Sequence, residues 1–242
     1  MKSNKIYQAS TLQALALGYT RPVVTVQELL EHGDTGLGTF ESVDGEMIIL
    51  DGVCYQAKPD GSTIRTEDSA GVPFAVSGFV KDGRKLEMGE LKDIDAIKLE
   101  LTLRIEEDFG LNSIHIARID GLFGIIHARA GAPYRAHHVS LKDILSKTQK
   151  DFSFENIYGT LVCVYYPDYM DGINAAGWHL HFLSQDRTLG GHVFEVSMSS
   201  GECLLQKMDR IEIQLPREAA FDTYSLKEAS QDEIEEVEQG NG

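Results

Sequence analysis

Between residues 90 and 109, Leu91, Ile94, Ile97, Leu101 and Ile105 recur at three- and four-residue spacing among charged side chains. That period predicts an amphipathic helix. Thr25-Val-Gln-Glu28 reads as a capping box opening a short helix that closes near Gly33, and residues 140–147 read as a second short capped helix. Most of the remaining chain alternates apolar and polar positions between Gly-, Asp- and Asn-bearing breaks, the pattern of strands. Gly33-Asp-Thr-Gly-Leu-Gly38 predicts a loop, and the run from Thr39 to Tyr55 predicts two strands about an Asp-Gly turn. Strand pattern continues through 62–65 and 73–80. Residues 115–129 alternate as paired strands around Asp120-Gly121, and 157–166, 177–183, 192–197 and 202–213 predict four more. The class expected is mixed α+β and rich in strand, with a break between a first part, 1–110, and a second, 111–231. The last residues, 232–242, are acidic and read by composition as a solvated tail.

Strand periodicity sharpens one short stretch. In Gly177-Trp-His-Leu-His-Phe-Leu183, side chains two apart share a face, so His179 and His181 converge while Trp178, Leu180 and Phe182 face the opposite, apolar side. The polar, Gly-rich run 184–191 then reverses the chain, and Val193 to Val196 reads as the returning strand. If His181 or Leu183 stands opposite His192, all three imidazoles share one face, and a slip of one residue breaks the set. Three neutral imidazoles suit Zn²⁺ with an open position, the arrangement of a catalytic site, and they also suit other divalent transition metals. His32, His115, His127, His137 and His138 are read as non-ligands.

Composition narrows the rest. The chain has 242 residues, 42% of them apolar, enough for a substantial core. No run of 18 apolar residues is present, which excludes a spanning helix, and the start lacks the apolar segment of a secretory signal. Cys54, Cys163 and Cys203 are sparse, odd in number and set in hydrophobic surroundings, which suits reduced thiols and a cytoplasmic home. A net charge of −16 argues against nucleic acid or an anionic membrane as a partner. An anionic substrate would have to be captured by a local cationic cluster against that field. The glycines at 33–38 are followed by strand pattern instead of a helix, so a dinucleotide or phosphate cradle is not expected there.

Taken together, Gly33-Asp-Thr-Gly-Leu-Gly-Thr-Phe40, Asp44-Gly-Glu46, Ile119-Asp-Gly-Leu-Phe123, Gly177-Trp-His-Leu-His-Phe182, Gly190-Gly-His-Val-Phe194 and Ile234-Glu-Glu-Val-Glu238 give a chain that resembles the acetolactate decarboxylases from about Ile6 to Gly240. The resemblance implies an N-terminal mixed sheet packed on a C-terminal β-barrel carrying Zn²⁺, as a homodimer. It implies a carbon–carbon lyase that converts 2-acetolactate to acetoin and CO₂ on the route to butanediol. The metal would be chelated by the substrate's ketone and hydroxyl oxygens and would stabilise an enediolate that is then protonated from one face. Carried over residue by residue, it puts metal ligands at His179, His181 and His192, substrate contacts at Thr39 and Arg129, and catalytic groups at Glu46, Arg129 and Glu238, the tail folding back to the site. Glu46 and Glu238 both remain candidates for the proton donor. The loop His127-Ala-Arg129-Ala-Gly-Ala-Pro-Tyr-Arg135 departs from the family pattern, which leaves Arg135 as a competitor for Arg129.

Two rival readings stand beside this one: another three-histidine metalloenzyme, hydrolase or oxygenase, and a non-catalytic metal-binding module.

Overall fold

The computed structural model describes residues 4–136 and 138–226. In chain order its strands are β1 (Lys5–Ala9), β2 (Val24–Thr25), β3 (Thr35–Thr39), β4 (Glu46–Leu50), β5 (Val53–Ala57), β6 (Thr63–Arg65), β7 (Gly71–Val72), β8 (Phe74–Gly78), β9 (Arg84–Met88), β10 (Ile114–Ala130), β11 (Lys150–Tyr166), β12 (Gly177–Ser184), β13 (Gly190–Met208) and β14 (Arg210–Gln214). The helices are α1 (Leu12–Ala16), α2 (Val26–Leu30), α3 (Ile94–Glu107) and α4 (Leu141–Thr148). The protein is thus mixed α+β and rich in strand.

Two sheets organise it. The first runs β14-β1-β8-β3-β4-β5-β6, with β1 and β14 parallel. The second runs β10-β11-β12-β13-β9, and β10 also pairs with β13, so its hydrogen bonds close a circuit. Ile6, Leu37, Ile48 and Val76 of the first sheet meet Ile116, Val162, Val164 and Leu183 of the second in a shared apolar layer. α3 covers the far face of the second sheet through Ile97, Leu101 and Ile105, and α2 covers the far face of the first through Val26 and Leu29. β9 and α3 precede residue 110 yet pack with the second sheet, and β14 follows it yet joins the first. Each sheet therefore borrows a strand across the expected break.

Local chemistry explains the helices. The capping box is present: the Glu28 amide donates to Thr25 Oγ1 at 3.3 Å, and the Thr25 amide to Glu28 Oε2 at 2.8 Å. Asp93 caps α3 through the Ala96 amide, so the helix starts at Ile94, and Leu91 instead bridges to Met198. Ser140 caps α4 through the Asp143 amide.

Three sequence expectations are corrected, two of them by glycine. The expected loop at 33–38 contains β3, a buried strand, because Gly36 and Gly38 allow the backbone of β8 to approach. A Cβ on Gly36 would lie 2.0 Å from the Val76 carbonyl oxygen. The pair expected at 115–129 is a single strand, β10. Its Gly121 faces Gly159 on one side and Gly201 on the other, where a Cβ would lie 2.5 Å from the Ser200 carbonyl oxygen. Close approach of three strands, and not a turn, is what Asp120-Gly121 encodes. The two strands expected at 192–197 and 202–213 are likewise one long strand, β13, followed by the short β14. Cys54, Cys163 and Cys203 are all buried, and no helix among the described residues is long and apolar enough to cross a membrane.

Candidate metal centre

His181 stands directly opposite His192 in the antiparallel β12–β13 pair, and His179 lies two residues before His181 on the same face. Alternation sends these rings toward the first sheet, while Trp178, Leu180 and Phe182 join the core under α3. Nε2 of His179 lies 3.1 Å from Nε2 of His181 and 3.0 Å from Nδ1 of His192. One donor nitrogen from each residue falls within 4.8 Å of the others, so the three form a group that could hold a metal ion. Ligands about 2.0–2.1 Å from a tetrahedral ion stand roughly 3.4 Å apart, close to the two separations that His179 makes.

Burial, aided by the positive charge of Arg129, brings the pKa of His179 down to about 3. Burial, then the neighbouring His179, holds His181 well below its ordinary value. Both rings are neutral at physiological pH and offer lone pairs. His181 is also oriented: its Nδ1 donates to the Met47 carbonyl at 2.8 Å, which leaves Nε2 bare toward the cluster.

The first sheet supplies the other wall. Thr39 and Glu46 face each other across the β3–β4 hairpin. Glu46 Oε2 reaches within 3.6 Å of His181 Nε2. The Thr39 hydroxyl donates to the Gly45 carbonyl at 2.8 Å, closing the hairpin turn, and Thr39 lines the cavity. From β10, buried Arg129 brings Nη2 to 3.2 Å from His192 Nε2, and Arg129 faces His192 in register. Thr39, Glu46, Arg129, His179 and His192 line one cleft, whose remaining wall is apolar: Leu15 of α1, Val43, Phe74, and Leu141 and Leu145 of α4. Arg135 lines a separate depression with Glu41, Gln56 and Pro133. Glu238, with the rest of 232–242, lies outside the described residues, as does His137.

The apolar wall was not singled out from sequence. α4 was legible as a capped helix, but nothing in its pattern says that Leu141 and Leu145 overlook a cavity. Val43 carried no signal at all.

Neutral imidazoles converging beside a carboxylate and a guanidinium, at the seam of two sheets, define a metal-competent cavity of a mixed α+β enzyme. The family model for alpha-acetolactate decarboxylase matches residues 6–228. An alpha-acetolactate decarboxylase of Methanosarcina mazei is 33% identical over 98% of this chain and 81% of its own length, and one of Lactococcus lactis subsp. lactis is 35% identical over 88% of each. The crystal structure of alpha-acetolactate decarboxylase from Bacillus subtilis strain 168 superimposes with a TM-score of 0.91 at 29% identity, covering 97% of this chain and 99% of that one. The chain belongs to the alpha-acetolactate decarboxylase family, whose named members are carboxy-lyases.

Proposed function

We propose that this protein decarboxylates 2-acetolactate to acetoin and CO₂, using Zn²⁺ or another divalent transition metal held by His179, His181 and His192, as a cytoplasmic homodimer. The observation that carries the reading is the convergence of three imidazole nitrogens with the Glu46 carboxylate and the Arg129 guanidinium beside them.

A bound divalent ion supplies Lewis acidity for the oxygens of a 2-hydroxy-3-oxo acid, with its full charge preserved by neutral ligands. Arg129 holds the substrate carboxylate through its planar fork. In the structure its Nη2 donates toward His192 Nε2 at 3.2 Å, while His192 Nδ1 faces His179 Nε2 and is the atom that would hold a metal. As CO₂ leaves, the bond from the carboxylate carbon to C2 breaks and its electron pair passes into the enediolate of the remaining fragment. C2 then takes a proton from Glu46 or from Glu238, the two carboxylic acids that the family resemblance implies for this role. A cleft lined both by Glu46, His179 and His192 and by the apolar Leu141 and Leu145 holds the substrate in one orientation, so that the proton arrives on one face. Thr39 orients a substrate oxygen through its hydroxyl.

Metal-analysed protein incubated with racemic acetolactate should release CO₂ and form a single acetoin enantiomer without consuming O₂. Metal-loaded protein that yields neither product would overturn the reading, and O₂ uptake would point to an oxygenase.

A further inference from the structure

The six residues joining Thr39 to Glu46 include two consecutive non-glycine residues in the left-handed region, Ser42 at φ 64° and Val43 at φ 57°. Serine tolerates that region poorly, and for a β-branched side chain it is an outlier, since two branches at Cβ crowd the following carbonyl. Glycine or asparagine would adopt the same backbone at far less cost. The turn is nonetheless held from several sides. The Ser42 amide donates to the Thr20 carbonyl at 3.0 Å, the Tyr134 amide to the Ser42 carbonyl at 2.9 Å, the Val43 amide to the Phe40 carbonyl at 2.9 Å, and Gln56 Nε2 to the Asp44 carbonyl. Strain that is over-determined in this way persists where the side chain it presents has a task.

The task is visible in what Val43 touches. Its side chain is 2% exposed, belongs to the apolar cluster of Leu15, Phe74 and Leu141, and lines the cleft that also holds Glu46, Arg129 and the histidines. The other apolar lining residues come from ordinary helix and strand backbone. Val43 alone among them is delivered by a strained turn, and that turn sits between the two first-sheet residues that face the imidazoles.

We propose that Val43 is a specificity-determining residue: its isopropyl group is the wall against which the C2 alkyl substituent of a 2-hydroxy-3-oxo acid packs, favouring a methyl there over a longer chain. This rests on the decarboxylase reading above. With the carboxylate and the two oxygens of such a substrate drawn to Arg129 and the imidazole side, its alkyl groups are left to the apolar wall. One methylene in such a contact changes selectivity by roughly 10- to 200-fold.

The test compares kcat/KM for racemic 2-acetolactate and for its homologue bearing an ethyl group at C2, in the metal-loaded wild type, Val43→Ala, Val43→Gly and Ile144→Val. Ile144 is buried in the same cluster but does not line the cleft, so its truncation reports a purely structural effect. The ratio of the two kcat/KM values does not depend on the fraction of folded enzyme, and Val43→Gly accepts the left-handed backbone without strain. The expected result is a shift of about tenfold or more toward the ethyl substrate in both Val43 variants, with the ratio of Ile144→Val unchanged. Ratios within twofold of wild type at Val43, or an equal shift in Ile144→Val, would overturn the inference while leaving the decarboxylase reading intact. A metal-loaded wild type inactive on both substrates would retire both.

Discussion

His181 donates its Nδ1 hydrogen to the Met47 carbonyl at 2.8 Å, and Met47 follows Glu46 on β4. One hydrogen bond therefore fixes the tautomer of a candidate ligand and ties it to the strand that carries the candidate acid. The acceptor is backbone, so the register of the β3–β4 hairpin and the orientation of the imidazole are set together. The centre is built across two sheets, by residues as far apart in the chain as Met47 and His181, 134 positions.

His179→Ala, His181→Ala and His192→Ala should each remove stoichiometric metal together with turnover, because two remaining imidazoles make an incomplete set. Elemental analysis of the purified variants is the measurement. A variant with normal metal content would strike its residue from the ligand list. Chelation of the wild type should likewise abolish turnover while far-UV circular dichroism stays largely unchanged, since the core layers on either side of the site contain no ligand.

Arg129→Lys keeps a cation but loses the two-pronged donor, and kcat/KM should fall tens- to thousands-fold, roughly 2–4 kcal/mol of transition-state stabilisation. Metal should remain bound. Arg135→Lys should be mild, because Arg135 lines a depression apart from the histidines. The reverse order of severity would show that the carboxylate is held from the other arginine.

Acid should unfold the protein partly through His115, which lies 3% exposed on β10 with its pKa lowered to about 4, chiefly by burial. Above its unfolded value near 6.5 the ring is neutral in both states and contributes no pH dependence. Below that, the unfolded chain takes up a proton that the folded one refuses, so stability declines as pH falls and the decline ends near pH 4. The full difference is on the order of 3 kcal/mol, of which about 2 is reached by pH 5. Denaturant titrations at pH 7.5 and 5 should show His115→Gln losing less stability than wild type by about that amount. A wild-type-minus-variant difference that is the same at both pH values would exonerate this residue.

The histidine cluster was legible because it follows from a period of two and one reversal of the chain. His-x-His fixes a shared face whatever the fold, and the His181–His192 register is one of the pairings the hairpin allowed. α3 was legible for the same reason: Ile94, Ile97, Leu101 and Ile105 mark a buried stripe that no other period explains. The strand β3 and the unbroken β10 were not, because glycine marks both turns and close backbone approaches, and only the neighbouring strand says which. The approach of Glu46 to His181 joins residues on different sheets, so periodicity carries no trace of it and only the family pattern put them together. Val43 is the extreme case, since a valine in the left-handed region contradicts the residue preferences on which such a reading depends.

Composition alone makes 232–242 a dispensable acidic tail, while the family pattern puts a functional carboxylate at Glu238. These readings give opposite results on truncation. The last described contact of the chain lies on the side of the cleft: Gln13 Nε2 donates to the Leu226 carbonyl at 2.6 Å, two residues from Leu15, which lines it. Removing residues 232–242 should cut kcat at least a hundredfold, the scale of one lost acid–base group, with metal content and thermal stability nearly intact. Glu238→Gln should reproduce most of that loss and Glu235→Gln should not, because the family resemblance implies a functional carboxylate at the former alone. A truncated enzyme with wild-type kcat would show that the proton reaching C2 comes from Glu46, which the β3–β4 hairpin holds 3.6 Å from His181 Nε2 without help from the tail.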